Sequence, residues 1–415
     1  MRTEMSTSRA HRLPSPFLKR IIVAAGVLVL AGVAISVFAV RHAGRTDASP
    51  IVPTGNWLWI YRLSLAVAFA AYVVAVVVLE RTRPRLAPIL VLAAAIQLLP
   101  LAGPLLLSRD VYFYWDKGRI GTVHDGNPYA DAPSRYPDDP AFRRMGADWY
   151  DVRGTYGPTF TLASELQAEV VGDSPRAATL VYRGLAAGFV LVLVVTAAAA
   201  GVMPALAAAF VGWNPLFALH FAGGAHNDAW MMALFVSAFA FAAHKRRSLG
   251  GAAWLLAVGV KWVPLVLLPL HAARRRLPFG WIGAAVALVL LASLSFWRYG
   301  TAWLFHSVAG SRRLEDVNST SIVYYLHIHT GLPARAWTYG FLLVFGLAYL
   351  WLLVLAWRGR ERLGLTLGIL VACLSWLPPW YALWPAGIAA IEDDRAARWL
   401  SIGLTAWLLR DSVPL

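Results

Sequence analysis

Apolar runs recur along the chain at about 17–25 residues, the length that crosses a bilayer as a helix. They cover 21–40, 57–79, 86–107, 177–200, 203–221, 228–243, 277–297 and 337–357, with further apolar sequence at 363–391 and 397–409. Basic residues gather in alternate connections. Residues 1–20 carry Arg2, Arg9, Arg12, Lys19 and Arg20; ERTRPR (80–85), HKRRS (244–248) and RGRER (358–362) follow the same pattern. Such connections are expected on the cytoplasmic side. The pattern predicts an all-α polytopic membrane protein with about 11–13 membrane helices. Residues 1–20 form a basic cytoplasmic segment, and 21–415 form one membrane domain with two large outer loops, 108–175 and 298–336. Residues 21–40 are too long for the apolar core of a signal peptide, so a first span is expected there.

Two runs depart from simple crossings. Residues 249–270 have basic sequence at both ends and hold Gly259, Lys261 and Pro264 in the middle. A broken hairpin of two short helices satisfies both ends, with Lys261 near its tip; a full crossing against the charge rule is the alternative. Residues 363–391 are interrupted by Leu377-Pro378-Pro379-Trp380-Tyr381, expected as an outer turn.

Composition agrees with the pattern: 59% of the 415 residues are hydrophobic and 14% are charged. The formal net charge of +15 sits in short loops rather than on a polar domain, so no nucleic-acid partner is expected. The single cysteine, Cys373, permits neither an internal disulfide nor a thiolate metal cluster. No metal or cofactor is expected. No P-loop, dinucleotide fingerprint, HEXXH or nucleotide-sugar DXD motif occurs.

The polar chemistry is concentrated in 108–175, which holds 11 of the 22 carboxylates. VYFYWDKGRI suits a short helix, on which Asp110, Phe113, Tyr114 and Lys117 share a face. Asp110, at the junction of membrane and loop, is a candidate general base; pairing with Arg109 or Lys117 is its structural alternative. Asp116 points to the other face and is expected to bind Arg119 or to orient the loop. Gly126-Asn127-Pro128 marks a turn, and Asn127 and Tyr129 are candidate substrate contacts. In the triplet His226-Asn227-Asp228, His226 suits a sugar hydroxyl or a phosphate, and Asp228 suits either a site or a helix cap. Lys261, an ammonium in an apolar stretch, is expected to meet a lipid phosphate or to snorkel. Arg312-Arg313 suit a phosphate or a solvated pair with Glu315 and Asp316. Aromatics such as Tyr156, Trp380 and Tyr381 suit stacking on a sugar face or an interfacial belt.

Four stretches together resemble the polyprenol-phosphate-mannose-dependent mannosyltransferases of the GT-C fold. RDVYFYWDKGRIGTVHDGNPYADAP resembles their first outer loop, D-x-Y-x-Y-x-W-D-G-x ending in G-x-N-P-Y. GGAHNDAWMM resembles their G-H-N-D-A stretch, LAVGVKWVPLVLLP their Lys-x-x-Pro segment, and LPPWYALWP their Pro-Trp-Tyr-x-x-Trp segment. The four run in family order. Lys117 stands between Asp116 and Gly118, and Ala225 precedes His226 where the family often has glycine. The resemblance implies inverting transfer on the outer face of the cell membrane. The donor would be a polyprenyl-phosphate-linked sugar, most simply mannose, and the acceptor a glycolipid or lipoglycan. The family's acidic base maps onto Asp110. A phosphate leaves without an acid when fixed cations meet its charge, so one carboxylate suffices. A lipid-linked sugar flippase, a transporter, or transfer of glucose or arabinose are the alternatives.

Overall fold

The computed structural model describes residues 16–43, 55–274, 279–309 and 316–410. Among them there are eighteen α-helices and no strand. The first three are α1 (Pro16–Ala43), α2 (Asn56–Leu79) and α3 (Leu86–Leu98). The long polar loop 108–175 contains α4 (Asp110–Thr122) and α5 (Pro158–Val171). Then come α6 (Pro175–Ala200), α7 (Pro204–Gly212), α8 (Pro215–Phe221) and α9 (Asp228–Ala243). Next are α10 (Arg247–Val260), α11 (Leu268–Ala273), α12 (Trp281–Tyr299), α13 (Ala302–Ala309) and α14 (Ile322–Thr330). The chain closes with α15 (Ala334–Trp357), α16 (Leu363–Ala372), α17 (Leu383–Ala389) and α18 (Arg395–Leu409).

Five of these helices, α1, α2, α6, α12 and α15, are long and apolar enough to cross a membrane alone. A bent pair, α7 with α8, is a sixth candidate, and five further apolar helices are only 10–17 residues long. The bundle is thus built from fewer full-length helices than the run lengths suggest, completed by short and broken ones.

The breaks have local causes. The run 203–221 is not one straight helix: α7 and α8 meet at 54°. Asn214 precedes Pro215, and a residue before proline is pushed out of the helical region. The Asn214 side chain then accepts from Leu216 N–H and starts a new helix (3.0 Å). The carbonyls this frees are met from neighbouring helices: Tyr72 Oη donates to Phe210 O (2.8 Å) and Gln97 Nε2 to Gly212 O (3.0 Å). The run 86–107 likewise stops early, at a 3-10 turn containing Pro100. There Arg183, buried in α6, donates to Pro100 O (2.5 Å), Gly103 O (3.1 Å) and Ala222 O (2.7 Å). One guanidinium thereby satisfies two chain breaks beside the site.

The stretch 249–270 is the broken hairpin. Arg247, which opens α10, and Arg274, which follows α11, line the same cavity, so both ends lie at one face. The chain turns at Lys261-Trp262, where Lys261 leaves the helix for extended backbone (φ −148°, ψ 144°). The tip is fastened to the 108–175 loop: Gly157 N–H donates to Val260 O (3.0 Å). A Cβ at Gly157 would overlap the Gly259 carbonyl, so glycine is required for this approach. The outer loop itself is folded. α4 is buried along nearly its whole length and packs on α5 so closely that a Cβ at Gly118 would overlap the Ser164 carbonyl.

Candidate active site

Four separate segments converge at one end of the bundle: the start of α4, the 225–228 turn into α9, the hairpin tip and the turn into α17. Asp110 occupies the first turn of α4, where the helix dipole favours a carboxylate, and its N–H donates to Ser108 Oγ (3.1 Å). Its Oδ2 faces His226 Nδ1 at 3.3 Å and accepts from Tyr114 Oη at 3.4 Å. Arg109 and Lys117, the alternatives drawn from the sequence, are not the partners seen at this carboxylate. Burial works against ionisation of Asp110, but His226, Ser108 and Lys261 outweigh it and hold the carboxyl below its ordinary value.

His226 is fully buried, its ring stacked on Trp380 with centroids 3.4 Å apart and planes at 15°. Neither of its ring nitrogens has a well-formed hydrogen bond, since the approach to Asp110 is close but out of line. Both polar atoms of the Asn227 amide, also fully buried, lack partners among the described residues. Buried polar groups are normally satisfied, so two adjacent unsatisfied residues mark a place where a polar ligand fits. The preceding Ala225 takes a left-handed backbone (φ 66°). That conformation favours glycine, the residue expected at this position from the family resemblance.

Asp228 does not cap α9. Asn227 holds the cap position, and Asp228, at 0% exposure, opens the helix. Its carboxylate accepts from Lys261 Nζ at 2.8 and 2.7 Å and from Trp384 Nε1 at 2.7 Å. Lys261 is therefore not the lone charge its sequence surroundings suggest. Its ammonium also lies over the rings of Tyr381 (5.1 Å), Tyr156 (5.4 Å) and Trp384 (5.8 Å). Tyr381 stacks on Trp384 (3.9 Å, 26°), and Tyr156 meets Tyr114 edge-on at 5.4 Å. Seven of the residues singled out from the sequence thus share one cluster: Asp110, Tyr156, His226, Asp228, Lys261, Trp380 and Tyr381. Asn227 adjoins it. Tyr114 and Trp384 complete it. Trp384 was legible only as part of the aromatic segment, with nothing to pair it to Asp228.

The remaining candidates do other work. Arg119 is not bound by Asp116: its Nε donates to Asp139 (2.9 and 3.0 Å) and its Nη1 pairs with Asp173 (2.7 Å). Asp139 also meets His124 Nε2 (2.7 Å), so this pair clasps the loop. Asn127 and Tyr129 hold the chain rather than open space. Asn127 Nδ2 donates to Tyr299 O (2.9 Å), its Oδ1 accepts from Tyr129 N–H (3.0 Å), and Tyr129 Oη donates to Tyr156 O (2.9 Å). Asp116 is buried with its Oδ2 unpartnered; burial pushes its carboxyl up and the adjacent Lys117 ammonium down, and each partly offsets the other. Arg312 and Arg313 lie outside the described residues. Among the described residues no group of three or more His, Cys, Asp or Glu is placed to hold a metal.

An all-α bundle of long and broken apolar helices, with a folded polar loop laid over a carboxylate, imidazole and aromatic cluster at one end, defines a polytopic membrane protein and is consistent with the GT-C fold. Within that class the chain belongs to the α-(1→6)-mannopyranosyltransferase family, whose N-terminal-domain model matches residues 18–275. It is 27% identical to α-(1→6)-mannopyranosyltransferase A of Mycobacterium tuberculosis, over 74% of this chain and 66% of that protein. It is 31% identical to the protein of the same name from Corynebacterium glutamicum, over 40% of this chain and 34% of that protein. The chain therefore spans less than two thirds of either relative. No solved structure matches it.

Proposed function

We propose that the protein is a membrane mannosyltransferase that takes its sugar from polyprenyl-phosphate mannose and passes it, with inversion, to a glycolipid or lipoglycan on the outer face. The observation that carries this reading is Asp110: a carboxylate kept ionised at the mouth of the bundle, beside two buried residues with unmet hydrogen-bonding capacity. The names of the two relatives support the sugar.

In the proposed reaction the acceptor hydroxyl oxygen attacks the anomeric carbon. The bond from that carbon to the phosphate oxygen breaks, the polyprenyl phosphate leaves with the electron pair, and Asp110 Oδ2 takes the hydroxyl proton. Tyr114 and His226 orient the carboxylate. Their contacts resist its rotation, which matters because a base must meet the proton at hydrogen-bond distance. His226 and Asn227 supply donors and acceptors to sugar or phosphate. Lys261, shared with Asp228, contributes half-neutralised positive charge toward the phosphate. The test is transfer by the purified protein from radiolabelled polyprenyl-phosphate mannose, glucose and arabinose to a panel of membrane glycolipids. Transfer of mannose, abolished in Asp110→Asn, is the expected result. Transfer of another sugar alone would revise the donor, and no transfer of any would sink the enzyme reading.

A further inference from the structure

The chain between α16 and α17 supplies the aromatic side of the cluster. It carries Trp380 onto His226, with ring centroids 3.4 Å apart and planes at 15°, and leads Tyr381 and Trp384 to Lys261 (5.1 and 5.8 Å). Pro378 and Pro379 have no N–H, and their rings fix φ at about −65°. This stretch therefore cannot build a hydrogen-bond ladder of its own, and it has little freedom to swing between Leu377 and Trp380. Whatever holds the peptide groups of Leu377 aims Trp380, three residues on.

Those groups are held from a distant part of the chain. Asn318 Oδ1 accepts from Leu377 N–H (2.9 Å), Asn318 N–H donates to Ser375 O (3.2 Å), and Thr320 Oγ1 donates to Leu377 O. Leu377 is fully buried, so a peptide group left unmet there has little water to turn to. Asn318 and Thr320 are themselves fixed. Ser321 donates to Asn318 O through its N–H (3.0 Å) and its hydroxyl (2.8 Å), and the same hydroxyl accepts from Tyr324 N–H (3.1 Å) to cap α14. Trp407 Nε1, on α18, donates to Thr320 O (2.8 Å). Residues 318–321 are thus carried on α14 and α18, neither of which contributes a side chain to the cluster.

We propose that Asn318 is a positioning residue for sugar transfer: it fixes the Leu377 peptide, and through the two prolines it sets the Trp380 ring against His226 and so the imidazole against Asp110. The kinetic consequence rests on the reaction proposed above; the structural one rests on the hydrogen bonds alone. The side-chain contribution is a single acceptor, Oδ1, at one distance from the backbone. A carboxylate of the same length supplies that acceptor and an aliphatic side chain of similar size does not.

The experiment compares Asn318→Leu, which removes the acceptor, with Asn318→Asp, which keeps it. Hydrogen–deuterium exchange of the purified full chain is read first, because it needs no substrate. Asn318→Leu should raise exchange in 375–386 and in 222–230, the stretch holding His226, and leave α1 and α2 as in the unmutated protein. Asn318→Asp should raise neither. Transfer from polyprenyl-phosphate mannose, normalised to folded protein, should fall about 10–100-fold in kcat/KM for Asn318→Leu and return to within about threefold for Asn318→Asp. In a Trp380→Leu background Asn318→Leu should cost less than about twofold more, since the ring it aims is gone. Thr320→Val, which removes only the hydroxyl at Leu377 O, carries the same comparison where Asn318→Leu does not fold. Unchanged exchange at 222–230, a kcat/KM per folded enzyme that survives the loss of the acceptor, or no recovery in Asn318→Asp would each overturn the proposal. If no form of the protein transfers any sugar, the enzyme reading fails by itself, and exchange at 222–230 still decides whether Asn318 sets His226.

Discussion

Asp228→Asn isolates the energetics of the hairpin tip. The substitution keeps an oxygen for Trp384 Nε1 and changes little in volume, but it removes the charge that faces Lys261. Asp228 is fully buried and the Lys261 side chain is 14% exposed, so the ammonium is left with little water to replace its partner. Breaking a buried pair on one side costs about 3–5 kcal/mol. Three aromatic faces within 5.8 Å still attract the ammonium, each worth roughly 0.5–2 kcal/mol, so the loss should fall at the lower end, about 3 kcal/mol. Lys261→Met strands the Asp228 carboxylate, which keeps only the Trp384 hydrogen bond, and should cost more than Asp228→Asn. Asp228→Asn/Lys261→Met strands neither charge and should be more stable than the sum of the single losses allows, by about 2 kcal/mol or more. The assay is reversible unfolding of the four proteins in detergent or bicelles, set out as a double-mutant cycle. Single losses that add to within about 0.5 kcal/mol would refute the pairing. If Lys261 acted only as an unpaired phosphate cation, Lys261→Met would reduce donor binding and leave stability unchanged.

Four further outcomes follow from the structure. Asp110→Asn should reduce turnover by about 10²–10⁴ while leaving donor binding within a few-fold, read by transfer assay and lipid-phosphate binding on the same preparation. Because the Asp110 carboxyl sits below its ordinary value of 3.8, its protonation should produce no loss of turnover as pH falls from 7 to 5; an acid limb in that interval that disappears in Asp110→Asn would contradict its placement. Gly118→Ala should destabilise the outer loop by about 1–3 kcal/mol through overlap with the Ser164 carbonyl, seen as faster proteolysis of 108–175 before global unfolding. Burial, partly offset by two backbone N–H groups, raises the Glu392 carboxyl from 4.5 to about 7. The native state therefore keeps a proton that the unfolded chain has lost between those values, so stability from this group is full below pH 4.5 and falls as pH rises to about 7. Glu392→Gln should flatten that fall in thermal unfolding scans, and an unchanged pH slope would contradict it.

The elements whose signals are local were legible in the sequence. The VYFYWDKGRI helix lies within Asp110–Thr122, with Asp110 and Tyr114 on one face as the i, i+4 spacing requires. The hairpin at 249–270 could be read because charge at its two ends is a local property, and Arg247 and Arg274 do lie together. What was not legible is partnership across the chain. Asp228 and Lys261 are 33 residues apart with two helices, α9 and α10, between them, and no periodicity connects them. A signal for that pair does exist: two opposite charges, each at the end of an apolar run, are expected to pair in a membrane. Arg183 carried the same signal inside 177–200 and was missed; its partners are carbonyls freed by chain breaks, which composition does not mark. Arg119 shows the converse. Asp116 is its close neighbour in sequence, but the folded loop brings Asp139 and Asp173 to it instead.

The charges in the cluster also constrain how a phosphate donor enters it. Asp110 and Asp228 are carboxylates, Lys261 is one ammonium, and His226 lies between them, with Tyr114, Tyr156 and Tyr381 around them contributing no charge at neutral pH. The two carboxylates and the one ammonium sum to about −1, and a lipid phosphate adds negative charge to them. Placing like charges together in a low-dielectric site is costly, so binding should draw a proton into the cluster unless another cation arrives. A ligand that takes up one proton binds up to about tenfold more tightly for each unit the pH falls. Donor affinity should therefore rise between pH 8 and pH 6. The measurement is equilibrium binding of a non-transferable lipid-phosphate sugar analogue across that range. An affinity independent of pH would mean that fixed cations meet the phosphate. Arg312→Gln and Arg313→Gln would then be the variants to lose donor binding, with Asp110 left as the base.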